Sequence, residues 1–213
     1  MRFVPALAAA SALCITGAAT SLTAQSAPTS IFQAPERPWV IDGFDVPPIA
    51  DTFALVEVTR YQVVELGFGL VYSGPLQRNL DLTIYVYPIR DDVEDPLAWE
   101  MSRALSEINR YAETRRPAWA VSEVSEGHYA KLLDDGTSLD GLMLQAEYLR
   151  SGQTARTFAF VFEREGYVLK YRITYNADAR EDLWEYLDRW MLETASTIRP
   201  RNPGERGGPR DGG

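Results

Sequence analysis

The sequence predicts an α+β fold: a single domain with a mainly antiparallel sheet packed by two long helices, in the order β-β-β-α-β-β-β-β-α. Three observations carry that reading. Period-two apolar runs recur between residues 53 and 175, two segments carry apolar stripes at helical spacing, and glycine-containing pairs punctuate the later strands.

Taken in order, the chain opens with Arg2, a mostly apolar run over residues 3–15, and a small-residue segment ending in Leu22-Thr23-Ala24. This pattern predicts an export signal over residues 1–24, cleaved to leave Gln25 first and placing the protein in the periplasm or outside the cell. The run is shorter than the roughly 20 residues a spanning helix needs, so no transmembrane helix is expected in the processed chain. A lipidated Cys14 is the alternative, but Leu13 stands where such motifs want a small residue.

Residues 25–51 hold Pro28, Pro35, Pro38, Pro47 and Pro48, which predict an extended arm with polyproline or turn geometry and no helix. Trp39, Val40, Ile41 and Phe44 within it would be costly to leave in water, so the arm should dock on its own domain or on a partner. The domain spans residues 52–198. Strands are expected over 53–64, 70–73 and 80–87, the last with Leu82, Ile84 and Val86 on one face and Asp81, Thr83, Tyr85 and Tyr87 on the other.

Asp95 then serves as N-cap with Pro96 at the first helical position. The stripe Leu97, Met101, Ala104, Leu105, Ile108 and Tyr111 runs up to the stop at Arg115-Arg116-Pro117. Four further strands follow over 118–125, 141–150, 155–164 and 167–175, with turn pairs Ser151-Gly152 and Glu165-Gly166. In the last strand Tyr167, Leu169, Tyr171, Ile173 and Tyr175 share one face, and Lys170 and Arg172 the other. The second helix is expected from an Asp178 cap with Glu181 as its capping-box partner, carrying Leu183, Trp184, Leu187, Trp190 and Met191. Residues 199–213 are too polar to fold and are expected to be disordered.

Composition narrows the chemistry. Signal removal takes Cys14, the only cysteine, and with it disulfides, thiolate nucleophiles and cysteine metal ligands. His128 is the only histidine, which excludes multi-imidazole metal sites and leaves it as the single imidazole candidate for catalysis. Its context, Glu126-Gly127-His128-Tyr129, suggests a loop. The chain carries 30 acidic against 21 basic residues, a net charge of −9, which does not favour nucleic acid. The acidic clusters Asp91, Asp92, Glu94, Asp95 and Asp134, Asp135, Asp140 lack calcium-loop spacing and fit a helix lead-in and a turn. No nucleotide-binding glycine loop or nucleophile elbow is present, so neither cofactor nor metal is expected.

The segments Leu70-Val71-Tyr72-Ser73-Gly74 and Leu82-Thr83-Ile84-Tyr85-Val86-Tyr87-Pro88, with the order of elements, resemble uncharacterised exported bacterial α/β proteins and the PsbP/Mog1-like α/β-sandwich group. The resemblance implies a non-enzymatic binding or assembly role. We therefore expect an exported module for an envelope protein or a small apolar ligand, with Trp39, Phe44, Tyr85 and Tyr87 as candidate contacts. The alternative is a cofactor-free hydrolase using carboxylates with His128.

Overall fold

The computed structural model describes residues 29–30, 38–61, 67–76, 79–115, 119–150 and 153–201. The expected export signal, the Ser151-Gly152 turn, the Arg116-Pro117 stop and the tail beyond residue 201 lie outside the described residues.

The long strands are β5 (Phe53–Arg60), β6 (Phe68–Ser73) and β7 (Asp81–Pro88), then β8 (Ala120–Leu132), β9 (Ser138–Arg150), β10 (Gln153–Arg164) and β11 (Tyr167–Asn176). Between the two sets lies α1 (Pro96–Thr114), and α2 (Leu183–Thr197) follows β11. Each set is an antiparallel meander, and β7 pairs with β11 to join them in the order β5-β6-β7-β11-β10-β9-β8. The short strands β1 (Thr29–Ser30) and β4 (Ile49–Ala50) both pair with β5 at the far edge. This is the expected α+β architecture.

Helices cover opposite faces of the sheet, so its central strands are buried on both. Residues 157–162 of β10 are all buried, as a strand covered on two sides should be. On the α2 side, Trp190 meets Phe53, Tyr72 and Tyr171 edge-on at ring separations of 6.1, 5.6 and 5.5 Å. On the other, Met101, Ala104, Ile108 and Ala112 of α1 pack with Leu144, Ala146, Tyr148, Val161 and Val168. The α1 cap is as expected: the Asp95 carboxylate accepts from the Ala98 N–H at 3.0 Å.

Four expectations are corrected. The second helix starts at Leu183 with Asp182, not Asp178, at the N-cap, and Asp182 makes no side-chain cap bond because Arg180 holds its carboxylate. His128 is in no loop. It lies inside β8, an edge strand exposed over most of its length and therefore without an alternating apolar signal. The arm is not simply extended: β2 (Trp39–Ile41) and β3 (Phe44–Val46) form a hairpin turning through Asp42 and Gly43, both at positive φ. Ile41, Val46 and Ala50 are buried in the α2-side core, so this part of the arm docks on its own domain, with Pro38, Pro47 and Pro48 flanking the hairpin strands. Finally, β12 (Arg199–Pro200) pairs with β3 where disorder was expected. Main-chain pairing needs no apolar side chain, and Arg201 adds an ion pair to Asp45 at 2.6 Å.

Candidate functional site

The end of the sheet where β5 and β7 finish and β6 and β11 begin is hollowed into a cleft of about 510 Å³. Its apolar wall is Phe44, Phe68, Val86, Pro88, Tyr167 and Pro200, contributed by three strands of the main sheet, the arm hairpin and β12. Two local features hold it open. Gly67 takes φ +60°, and a Cβ there would lie 1.8 Å from the Val86 carbonyl oxygen, so only glycine lets β6 begin this close to β7. Glu165 and Gly166 turn β10 into β11 with φ of 49° and 85°, a tight hairpin turn at the floor.

Phe44 stands edge-on to Tyr167 at 4.9 Å and to Phe68 at 5.6 Å, which fixes the arm against the cleft. The Tyr167 hydroxyl donates to the Ile198 carbonyl at 2.8 Å, and burial raises its pKa above the ordinary phenol range. At the rim Arg60 Nε sits 3.1 Å from Asp42 Oδ1 with both side chains about half exposed. Tyr61 lines the same side, and burial, then the nearby Tyr85, pushes its hydroxyl up to about 12. The cleft thus combines aromatic walls with charged groups at its edge, the Arg60–Asp42 pair and Glu165, which Arg164 approaches at 3.9 Å.

Tyr87 links the cleft to a second feature. Its hydroxyl donates to Glu100 of α1 at 2.6 Å, and burial followed by that bond raises its pKa far beyond the usual phenol value. Glu100 belongs to an ionic network between α1 and β11: Lys170 Nζ lies 3.5 Å from Glu100 and 3.3 Å from Glu107, and Arg103 reaches both carboxylates. Arg172 approaches Glu107 at 3.8 Å and donates to the Tyr148 hydroxyl at 3.2 Å. Every member is engaged by another, so the network reads as a fastener between helix and sheet.

Of the residues singled out in the sequence, Phe44 and Tyr87 come together at the cleft. Trp39 lies half-buried against the α2-side core. Tyr85 and Tyr87 do not form an open aromatic face, because α1 lies over that side and Lys170 sits 5.2 Å from the Tyr85 ring. His128 is exposed on β8, in a separate hollow of about 260 Å³ with Met101, Glu126, Leu142 and Met143. Tyr167, one of the aromatic residues concentrated in the later strands, also lines the cleft, whereas Arg60, Asp42 and Val86 were not singled out and meet there only through strand pairing. Sequence reading also missed Glu100 and Glu107, although their seven-residue separation places them on one helix face opposite the alternating Lys170 and Arg172. Among the described residues no group of three or more His, Cys, Asp or Glu could hold a metal ion, and no helix is long and apolar enough to cross a membrane.

No family model matches the chain, and no curated protein matches it. Solved structures similar to it in fold include the following two. One is the cyanobacterial PsbP, CyanoP, from Synechocystis sp. PCC 6803, at 13% identity over 87% of this chain and 99% of that one, with a TM-score of 0.41. The other is LpqN, a protein involved in cell envelope biogenesis of Mycobacterium tuberculosis, at 18% identity over 82% of this chain and 90% of that one, with a TM-score of 0.34. At these identities the likeness is one of fold alone.

Proposed function

We propose that this chain is an exported, non-enzymatic binding module that takes a small, largely apolar ligand in the cleft beside Phe44. The observation that carries the reading is the cleft itself: about 510 Å³ falls within the size of small-molecule sites, and aromatic walls with a few polar groups, Asp42, Arg60, Tyr61 and Glu165, match how such sites are built. Burial of the ligand against Phe44, Phe68 and Val86 supplies affinity. The Asp42 and Arg60 pair orients any polar end toward solvent. Export rests on the signal pattern of residues 1–24, and the N-terminus of the protein recovered from the envelope should lie near Gln25.

The test is a titration with the fluorescent apolar probe N-phenyl-1-naphthylamine. Saturable binding is expected for the native protein, with affinity about ten-fold weaker in Phe44→Ala, as loss of one aromatic wall implies. Pro88→Trp, which fills the mouth, should abolish binding while leaving the circular dichroism spectrum unchanged. Absence of saturable binding by the native protein, or equal affinity in both folded variants, would remove the cleft from consideration.

A further inference from the structure

The two edges of the main sheet are treated differently. The β5 edge is covered by β1 and β4, whereas β8 has β9 on one side and, among the described residues, no strand on the other. β8 is also long, 13 residues, and exposed over most of its length. An open edge of this kind invites pairing with another strand.

Which backbone groups it offers follows from the hairpin that closes it. The Leu133 N–H donates to the Thr137 carbonyl at 2.8 Å and the Gly136 N–H to the Leu133 carbonyl at 3.0 Å, with Gly136 at φ +80°: a three-residue turn whose closing pair is hydrogen-bonded. Antiparallel pairs alternate, so Lys131, Tyr129 and Gly127 bond to Leu139, Gly141 and Met143 of β9. The N–H and C=O groups of Val124, Glu126, His128, Ala130 and Leu132 therefore point away from the sheet. Val124 and Leu132, 46% and 72% exposed, are among the large apolar side chains the molecule leaves in water.

We propose that β8 is a self-association edge: two copies of this chain pair their β8 strands antiparallel about a two-fold axis at Gly127, extending one sheet through both. Side-chain pairing favours that register. Centring on Gly127 sets Glu126 of each copy opposite His128 of the other and Val124 opposite Ala130. Centring one residue earlier opposes Glu126 to its own copy, and one residue later does the same to His128. Opposite polar partners across strands favour pairing, and like charges oppose it.

The glycine is a second, independent indication. Gly127 does not have positive φ, and a Cβ there would meet only Met143 Cε at an ordinary 3.7 Å, so nothing within one copy requires glycine. At the two-fold axis it would form a non-hydrogen-bonded pair with its own image, where Cα atoms approach to about 4.5 Å and side chains crowd most.

Sedimentation velocity of the purified protein from micromolar to millimolar concentration tests this, with amide hydrogen exchange at the two extremes. A concentration-dependent dimer is expected, with added protection at Glu126, His128 and Ala130. Glu126→Lys should raise the dimer dissociation constant roughly ten-fold, since two pairs are lost, and the charge-swapped Glu126→Lys/His128→Glu should recover it. Gly127→Val should give a folded monomer. A native protein that stays monomeric throughout overturns the proposal, including the case where an unrelated strand fills the edge. So does a dimer indifferent to these variants or one that leaves those amides unprotected.

Discussion

Lys170 and Glu100 are each 3% exposed at the side chain, an ion pair set between α1 and the sheet and completed by the half-exposed Glu107 and the Tyr87 hydroxyl. Removing one partner of such a pair leaves the other charged and out of water, while removing both exchanges desolvation for packing. Lys170→Met should therefore cost about 3–5 kcal/mol in urea unfolding, and adding Glu100→Met should restore more than half of it. Equal losses in the single and double variants would show that the pair stabilises in its own right. Burial of the ammonium was not legible in the sequence: Lys170 alternates correctly with Leu169 and Tyr171, but only the passage of α1 over that face removes it from solvent.

Among the elements, the two helices were equally visible as apolar stripes yet begin in different ways. Asp95 caps α1 through the Ala98 N–H, whereas Asp182 at the head of α2 gives its carboxylate to Arg180. Asp95→Ala should lower stability by about 1 kcal/mol and Asp182→Ala by much less, measured as shifts in thermal midpoint. A larger loss at Asp182 would mean that the ion pair, and not the apolar stripe, starts α2. The longer strands were legible wherever one face is buried, whereas the three-residue strands β2 and β3 are too short to show a period. β8 was not legible past residue 125, because a strand exposed on both faces has no period-two contrast to read. β12 was equally hidden, since its pairing uses main-chain groups and the Arg201 to Asp45 ion pair.

At the scale of the whole molecule, tyrosines supply much of both cores. Burial raises the pKa of Tyr61, Tyr72, Tyr87, Tyr129, Tyr148, Tyr167 and Tyr171 above the free phenol value. The folded state then holds protons that the unfolded chain releases near pH 10, so the tyrosine contribution to stability is constant below that pH and falls as pH rises through 10 to 12 and beyond. Urea unfolding followed with tyrosinate absorbance should show loss of structure coinciding with ionisation; tyrosines that titrate freely near pH 10 in the folded protein would contradict the packing described. The order of the seven long strands and two helices, the two faces of β7 and β11 and the α1 cap could all be read from the chain, because period and capping are local properties of neighbouring residues. That Phe44, Val86 and Tyr167 wall one cleft, that Lys170 is buried among carboxylates, and that β8 is left at an edge emerged with the packed fold. Each of these depends on which strands and helices lie side by side, and that arises from burial summed over residues far apart in the chain.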